Sequence, residues 1–544
     1  MRRLLTIATA VVALTAGAGA TAAPRPPSAA YRVAEKSIGD LRADLAAGRV
    51  TSVQLVQAYL RRIDRLDRHG PSLHSIIALN PDALAEARAC DAERRKGHLR
   101  GPLHGIPIVV KDNIETADPV ATTAGSLALA ANVTHRDAPL VARLRAAGAV
   151  ILAKANLSEW ANMRSALPIS GWSAMGGLTR NPYATDRSAE GSSAGPAAAT
   201  AASLAAAAVG TETDGSIVNP ASVNGLVGLK PTVGLIPRTH IVPITHVQDT
   251  AGPMARSVAD AALLLSVMAG PDPDDPASQL APAMKPDYLA ALNPAALKGA
   301  RLGLMRFRQA YDPKVEALLH AAEDVLRAQG AEVVEVQVTA SPAELGRNEF
   351  IATLSEMKAD LNAYLATTPA TVRTRTLADV IAFNAAHAGQ EMPFYRQERF
   401  EQAQAAKPPD DPDVKAARLT ATRLAGPEGL AKLAAENHLD ALIAPTTGPT
   451  WGVDLLAPDR GSGPATSQMP ALAGWPHLTV PMGEVLGLPV GLSFIGPPWS
   501  EARLLGFGYA YEQHSHARRP PTYVRFEDLP QVAPGVAPAN RASR

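Results

Sequence analysis

Between residues 189 and 220 the chain runs AEGSSAGPAAATAASLAAAAVGTETDGSIVNP, two Gly/Ser turns separated by an alanine-rich stretch. Side chains this small cannot fill a core by themselves. They suit backbone that must lie close against other backbone, because interiors are packed to crystal density. The run therefore predicts a buried helix held between two tight loops. Gly/Ser clusters also serve as ordinary turns and linkers, so chemistry must be sought in what else the chain supplies.

The surrounding pattern alternates strands and helices. HSIIALN, GIPIVVK, AVILAKAN, RLGLMRF, AEVVEVQV, DALIAPTTG, HLTVPMG and LPVGLSFIG have the short apolar character of strands. TSVQLVQAYLRRIDRLDRHG, PDALAEARACDAERRKG, APLVARLRAAGAV, KVEALLHAAEDVLRAQG and EARLLGFGYAYEQHSHAR have helical spacing or helix signals. Such alternation predicts an α/β protein: one large domain, with a mixed, mostly parallel twisted central sheet between helical layers. No repeat or linker divides it. The expected domain spans residues 31–520, and residues 521–544 form a Pro/Ala-rich tail with no periodicity.

The first residues, MRRLLTIATAVVALTAGAGATAAP, join a basic start to a short apolar run and small residues at Ala18, Ala20 and Ala22. That layout predicts a signal peptide over residues 1–22, cut after Ala20 or Ala22, and a periplasmic or extracellular protein without stable membrane insertion. Cys90 is the only cysteine, so no intramolecular disulfide can form. Its place in a helical pattern fits a packed thiol. A formal net charge of +1, without a basic stripe, gives nucleic acid no footing.

The 13 histidines include no H-E-x-x-H and no Cys/His ligand spacing, so no metal site is expected. GSSAG (Gly191–Gly195) matches a nucleophile elbow, but the polar segment before it is not the strand such an elbow must follow. A serine can instead be activated by a neutral lysine. GPLHGIPIVVKDNIET places Lys111 at the end of an apolar strand, where burial would disfavour its charged form. Beside Asp112 the same lysine also fits a surface ion pair. GTETDGS offers successive backbone N–H groups before Ser216, the arrangement a tetrahedral oxyanion requires.

With GPLHGIPIVVKDN, EGSSAGPAAAT, GTETDGSIVNPAS and NGLVGLKPTVGLIPR in this order, the chain resembles the amidase signature family over about residues 31–520. The interval from Ser192 to Ser216, 24 residues (216 − 192), matches the family's spacing. LSEWANMRS, SGWSAMGG, GPMARSVADAA, LAPTTG and LPVGLSFIG are similar to its peptide-amidase branch. The resemblance implies a Ser–cisSer–Lys triad: Ser216 as nucleophile, Ser192 as proton bridge after a cis Gly191–Ser192 peptide, and Lys111 as base. It further implies an oxyanion hole from the backbone N–H groups of Thr213, Asp214, Gly215 and Ser216, with Gly191 and Ser193 supporting the loop. The chain departs from the family where Glu190 and Ala194 stand beside the serine pair and where Asp214 occupies a position often glycine. If Asp214 needs a positive φ, aspartate tolerates it better than most residues.

Acyl transfer by this set needs no metal or organic cofactor. The substrate implied is the C-terminal amide of a peptide, released as ammonia, with Met163 either lining the site or packing a helix. Rival readings are a small aliphatic or aryl amide or an oligoamide as substrate, a cytosolic transamidation subunit, and a non-catalytic amide-binding protein. An export signal argues against the transamidation role, and an intact Lys111, Ser192 and Ser216 set against the binding protein.

Overall fold

The computed structural model describes residues 31–529 except 462 and 465. The expected signal peptide and the end of the expected tail lie outside the described residues.

The strands in chain order are β1 Ile76–Leu79, β2 Pro107–Lys111, β3 Val150–Ala155, β4 Trp172–Ser173, β5 Gly177–Leu178, β6 Ala207–Glu212, β7 Val227–Lys230, β8 Thr250–Ala255, β9 Arg301–Arg306, β10 Glu332–Gln337, β11 Ala441–Pro445, β12 His477–Val485 and β13 Leu488–Ile495. β4 and β5 pair alone, and the others build one 11-stranded sheet ordered β1-β3-β2-β6-β8-β7-β12-β13-β11-β9-β10. All eight segments read as strands lie in this sheet.

The sheet is mixed, as expected, but parallel pairing is not its majority. β2 runs parallel to β3 and β6, and β9 to β10 and β11. Every other pairing in the sheet is antiparallel. One cause is the hairpin from β12 to β13, whose turn residues Leu486 and Gly487 both have positive φ, 53° and 79°, the conformation a two-residue hairpin favours. The other is the pair β7 and β8, which the sequence did not announce and which run antiparallel between the two parallel blocks.

Helices cover both faces. On β9, Leu302 and Leu304 belong to the main core while Met305 belongs to a second cluster. β11 divides in the same way, Ala441 and Ile443 against Leu442 and Ala444. Alternate strand residues face opposite sides, so the helices Pro313–Ala328 and Glu501–Ser515 pack on one face and Pro342–Ala366 with Pro412–Ala425 on the other.

The alanine run corrects one expectation. It is not a single helix: the helix covers only Ala194–Ala201, the chain turns at Ser203 with φ 54°, and residues 207–212 become β6. Alanine favours helix by less than about 1 kcal/mol per residue over most side chains. β6 lies between β2 and β8, hydrogen-bonded on both sides and fully buried, and that tertiary setting outweighs the local preference.

Beyond residue 520 the chain lies against the body, with Tyr523 N donating to Pro182 O and Thr185 N to Val524 O, both at 2.9 Å. Leu529 is buried with Ala184 and Leu488. Cys90 is buried beside Gly148 O at 3.7 Å, and burial raises its thiol pKa, which fits a packed thiol.

Candidate active site

β2 and β6 are parallel neighbours, with Val110 opposite Val209, so their carboxyl ends meet at one edge of the sheet. Lys111 is the last residue of β2, and the turn Thr213–Ser216 follows directly on β6. In α/β sheets the carboxyl ends of strands are where loops converge into sites. The seat of Lys111 therefore depends on β6, the strand hidden in the alanine run.

Lys111 is fully buried. Its Nζ lies 2.7 Å from Ser192 Oγ, 2.9 Å from Thr211 Oγ1 and 3.1 Å from Thr211 O. Asn113 Nδ2 donates to the same Thr211 hydroxyl at 3.0 Å. Burial pulls the Lys111 pKa from 10.5 down to about 7, against the opposing attraction of Asp249 and Glu212. The surface ion pair with Asp112 does not form. Asp112 turns instead to the buried Lys154, 3.3 Å away, and accepts from Thr123 N at 3.1 Å.

Ser192 and Ser193 sit where the chain enters the helix Ala194–Ala201, and the Gly191–Ser192 peptide is cis. Ser158 N donates to Ser192 O at 3.0 Å. A Cβ on Gly191 would lie 2.2 Å from Ser158 Oγ, so only glycine lets this loop approach so closely. Ser193 binds across to β6: its hydroxyl donates to Thr211 O at 3.0 Å and accepts from Thr211 N at 3.2 Å.

The second loop is fixed from below. Glu212 accepts from Ile217 N and Val218 N at 2.8 and 3.0 Å, which satisfies two N–H groups at the start of the helix Val218–Val223. Thr213 Oγ1 donates to Asp249 at 2.6 Å. The positive φ in the turn belongs to Gly215, at 77°, and not to Asp214. Among the described residues no acceptor meets the backbone N–H of Thr213, Asp214 or Ser216.

The three side chains are thus brought to one place, but only one contact between them is closed. Ser216 O accepts from Ser193 N at 3.1 Å, joining the two loops through the backbone. Ser216 Oγ makes no hydrogen bond to Ser192 Oγ among the described residues.

Two cavities meet at this seam, and Ala161, Thr213 and Ile244 line both. Ser192 and Thr211 open on one of about 600 Å³. Ser216 opens on the other, of about 420 Å³, which Met163 also lines together with Glu190, Asp214, Glu349 and Arg399. Met163 is therefore at the site, and its sulfur accepts from Arg399 Nη1 at 3.6 Å. Thr211 and Glu212 lie inside the quoted motif and were legible there as polar residues ending a buried run. Glu349 and Arg399 arrive from distant helices with no local signal. Among the described residues no cluster of His, Cys, Asp or Glu is arranged to hold a metal, and no helix is long and apolar enough to cross a membrane.

Comparison with known proteins agrees with this geometry. The Amidase family model matches residues 54–505. A probable amidase of Arabidopsis thaliana is 40% identical over 509 residues, covering 91% of this chain and 93% of its own length. A putative amidase of Arthroderma benhamiae is 37% identical over 513 residues, covering 90% of this chain and 83% of its own length. Among solved structures, the native peptide amidase of Stenotrophomonas maltophilia is 51% identical with a TM-score of 0.84, covering 90% of this chain and 99% of that one. The peptide amidase PAM in complex with the competitive inhibitor chymostatin gives 51% identity, a TM-score of 0.85 and the same coverage. With its motifs and these matches, the chain belongs to the amidase signature family and is an amidase.

Proposed function

We propose that this amidase removes the C-terminal carboxamide of peptides as ammonia, through an acyl-enzyme on Ser216. The observation that carries the mechanism is the set of three contacts around Lys111 Nζ. A neutral amine has two hydrogens and one lone pair. Thr211 O can only accept, and Thr211 Oγ1 is placed to take the second hydrogen. The lone pair then faces Ser192 Oγ, so Ser192 donates to Lys111 and is free to accept a proton from Ser216. The Ser216–Ser192 hydrogen bond forms in the substrate complex, where catalytic contacts tighten.

The oxygen of the attacked carbonyl, as it becomes negative, is met by the N–H groups of Thr213, Asp214 and Ser216, while Gly215 N–H is directed at Glu212. Ser192 supplies the proton that the departing nitrogen needs. That nitrogen therefore faces the Ser192 cavity, and the acyl chain lies along the Ser216 cavity. Water then attacks the ester, with Ser192 and Lys111 taking and returning the proton in reverse order.

The peptide assignment is supported by 51% identity to peptide amidases and by a cavity beside Ser216 large enough for more than a small aliphatic acyl group, about 420 Å³. The layout of the first residues supports export to the periplasm or beyond. The test compares ammonia release from a blocked dipeptide amide, the matching free acid and a small aliphatic amide. The expected result is turnover of the dipeptide amide, and turnover of the aliphatic amide alone overturns the peptide reading.

A further inference from the structure

The two signature loops carry carboxyl groups where the family often has glycine, and both open on the same cavity. Glu190 precedes the serine pair and Asp214 precedes Gly215. Each lines the cavity that contains Ser216. Glu190 is 8% exposed, and its Oε2 has no hydrogen-bond partner. Asp214 Oδ1 has none either.

The cavity's own cation does not neutralise them. Arg399 lies by the Met163 sulfur and over the Phe350 ring, 5.5 Å from its centroid, and its electrostatic partner is Glu349. Glu349 also accepts from Gln248 Nε2 at 3.0 Å and Gln468 Nε2 at 3.1 Å. Arg399 and Glu349 offset one another, which leaves the Glu190 and Asp214 carboxyls without a cation of their own among the residues lining this cavity. Nearby Asp459 further disfavours ionisation of Glu190.

We propose that the Ser216 cavity selects amides that carry a protonated amine close to the carboxamide, with the ammonium held by Glu190 and Asp214. The inference rests on the peptide-amide reading for the direction in which the acyl chain lies. The amine is either the α-ammonium of an amino-acid amide or the side chain of a basic residue. Burial and Asp459 push the Glu190 carboxyl up to about 8 against a hydrogen bond from Asn219, and burial and Glu349 do the same to Asp214 against one from Ser467. A cation entering the cavity recovers both charges, and charge-assisted hydrogen bonds of this type are about twice as strong as neutral ones.

The test measures binding by calorimetry to the Ser216→Ala protein, which cannot consume its ligand. One pair is N-acetyl-lysine amide against N-acetyl-norleucine amide, and the other is phenylalanine amide against N-acetyl-phenylalanine amide. In at least one pair the cationic member is expected to bind about tenfold or more tightly, and the pair that responds identifies the source of the amine. Adding Glu190→Gln should bring that ratio close to one. Equal or weaker binding of both cationic members, or a preference unchanged by Glu190→Gln, overturns the proposal. N-acetyl-glutamate amide should also bind more weakly than N-acetyl-glutamine amide, a comparison that needs no second substitution, and equal binding of these two counts against the proposal. Ammonia release from the neutral members by the unaltered enzyme is scored separately: its absence refutes the peptide-amide reading without deciding the binding preference.

Discussion

Thr211 makes two of the three contacts that hold Lys111, one through its carbonyl at 3.1 Å and one through its hydroxyl at 2.9 Å. It thereby directs the amine's lone pair and is a positioning residue. Thr211→Val keeps the shape of the strand and removes the hydroxyl. The expected result is a kcat lower by about 10- to 100-fold with KM nearly unchanged, in line with the loss of about 1–3 kcal/mol when a buried donor is orphaned. Thr211→Ser should restore most of the rate. A change confined to KM, or no rescue by serine, would contradict the assignment.

The depressed Lys111 pKa, about 7, has a sign that can be read in kinetics. Above that value the amine is neutral and able to accept a proton, and below it kcat/KM should fall about tenfold per pH unit. Stability follows the same linkage. Between about 7 and the ordinary lysine value of 10.5, the unfolded chain binds a proton that the folded chain does not. The contribution of Lys111 to stability therefore rises with pH across that window and is least favourable below it. A pH–rate profile with its acid limb near neutrality is expected, and a profile flat from pH 5 to 8 would exclude Lys111 as the base.

Ser216→Ala and Lys111→Ala should each lower kcat by about 10⁴-fold or more, as removal of a hydrolytic triad member does. Circular dichroism should show the Ser216→Ala protein still folded. Full activity in a purified Ser216→Ala sample would reject the acyl-enzyme route.

Asp112 and Lys154 are both fully buried, 3.3 Å apart, and Lys154 also donates to Ile114 O and Thr122 Oγ1, each at 2.7 Å. Removing one partner leaves an uncompensated charge in the interior. Asp112→Asn or Lys154→Met should each destabilise the protein by about 3–5 kcal/mol in chemical denaturation. The double variant should lose less than the sum of the two, because the orphaned charge is then gone.

Much of the fold and the triad was legible in the residues alone. The short apolar runs of β2, β3, β9 and β11 announce themselves because a strand covered on both faces is apolar along most of its length. Lys111 and the two serines stand in motifs whose order and spacing are local facts of the chain. β6 was not legible: its Ala207 and Ala208 continue an alanine run, and only the flanking strands make them extended. β7 and β8 are short and rich in Gly, Thr and Pro, with no alternation to mark them. The lining from Glu349 and Arg399 was beyond reach for another reason, since a cavity wall assembled from segments more than a hundred residues apart leaves no pattern in any window.

The dry seat of Lys111 also bears on the resting enzyme. Its three partners all belong to the protein itself, so the basicity of the amine is set by the fold. Arrival of the amide need only complete the short hop between the two hydroxyls, which leaves this protein armed from the moment its chain has finished folding.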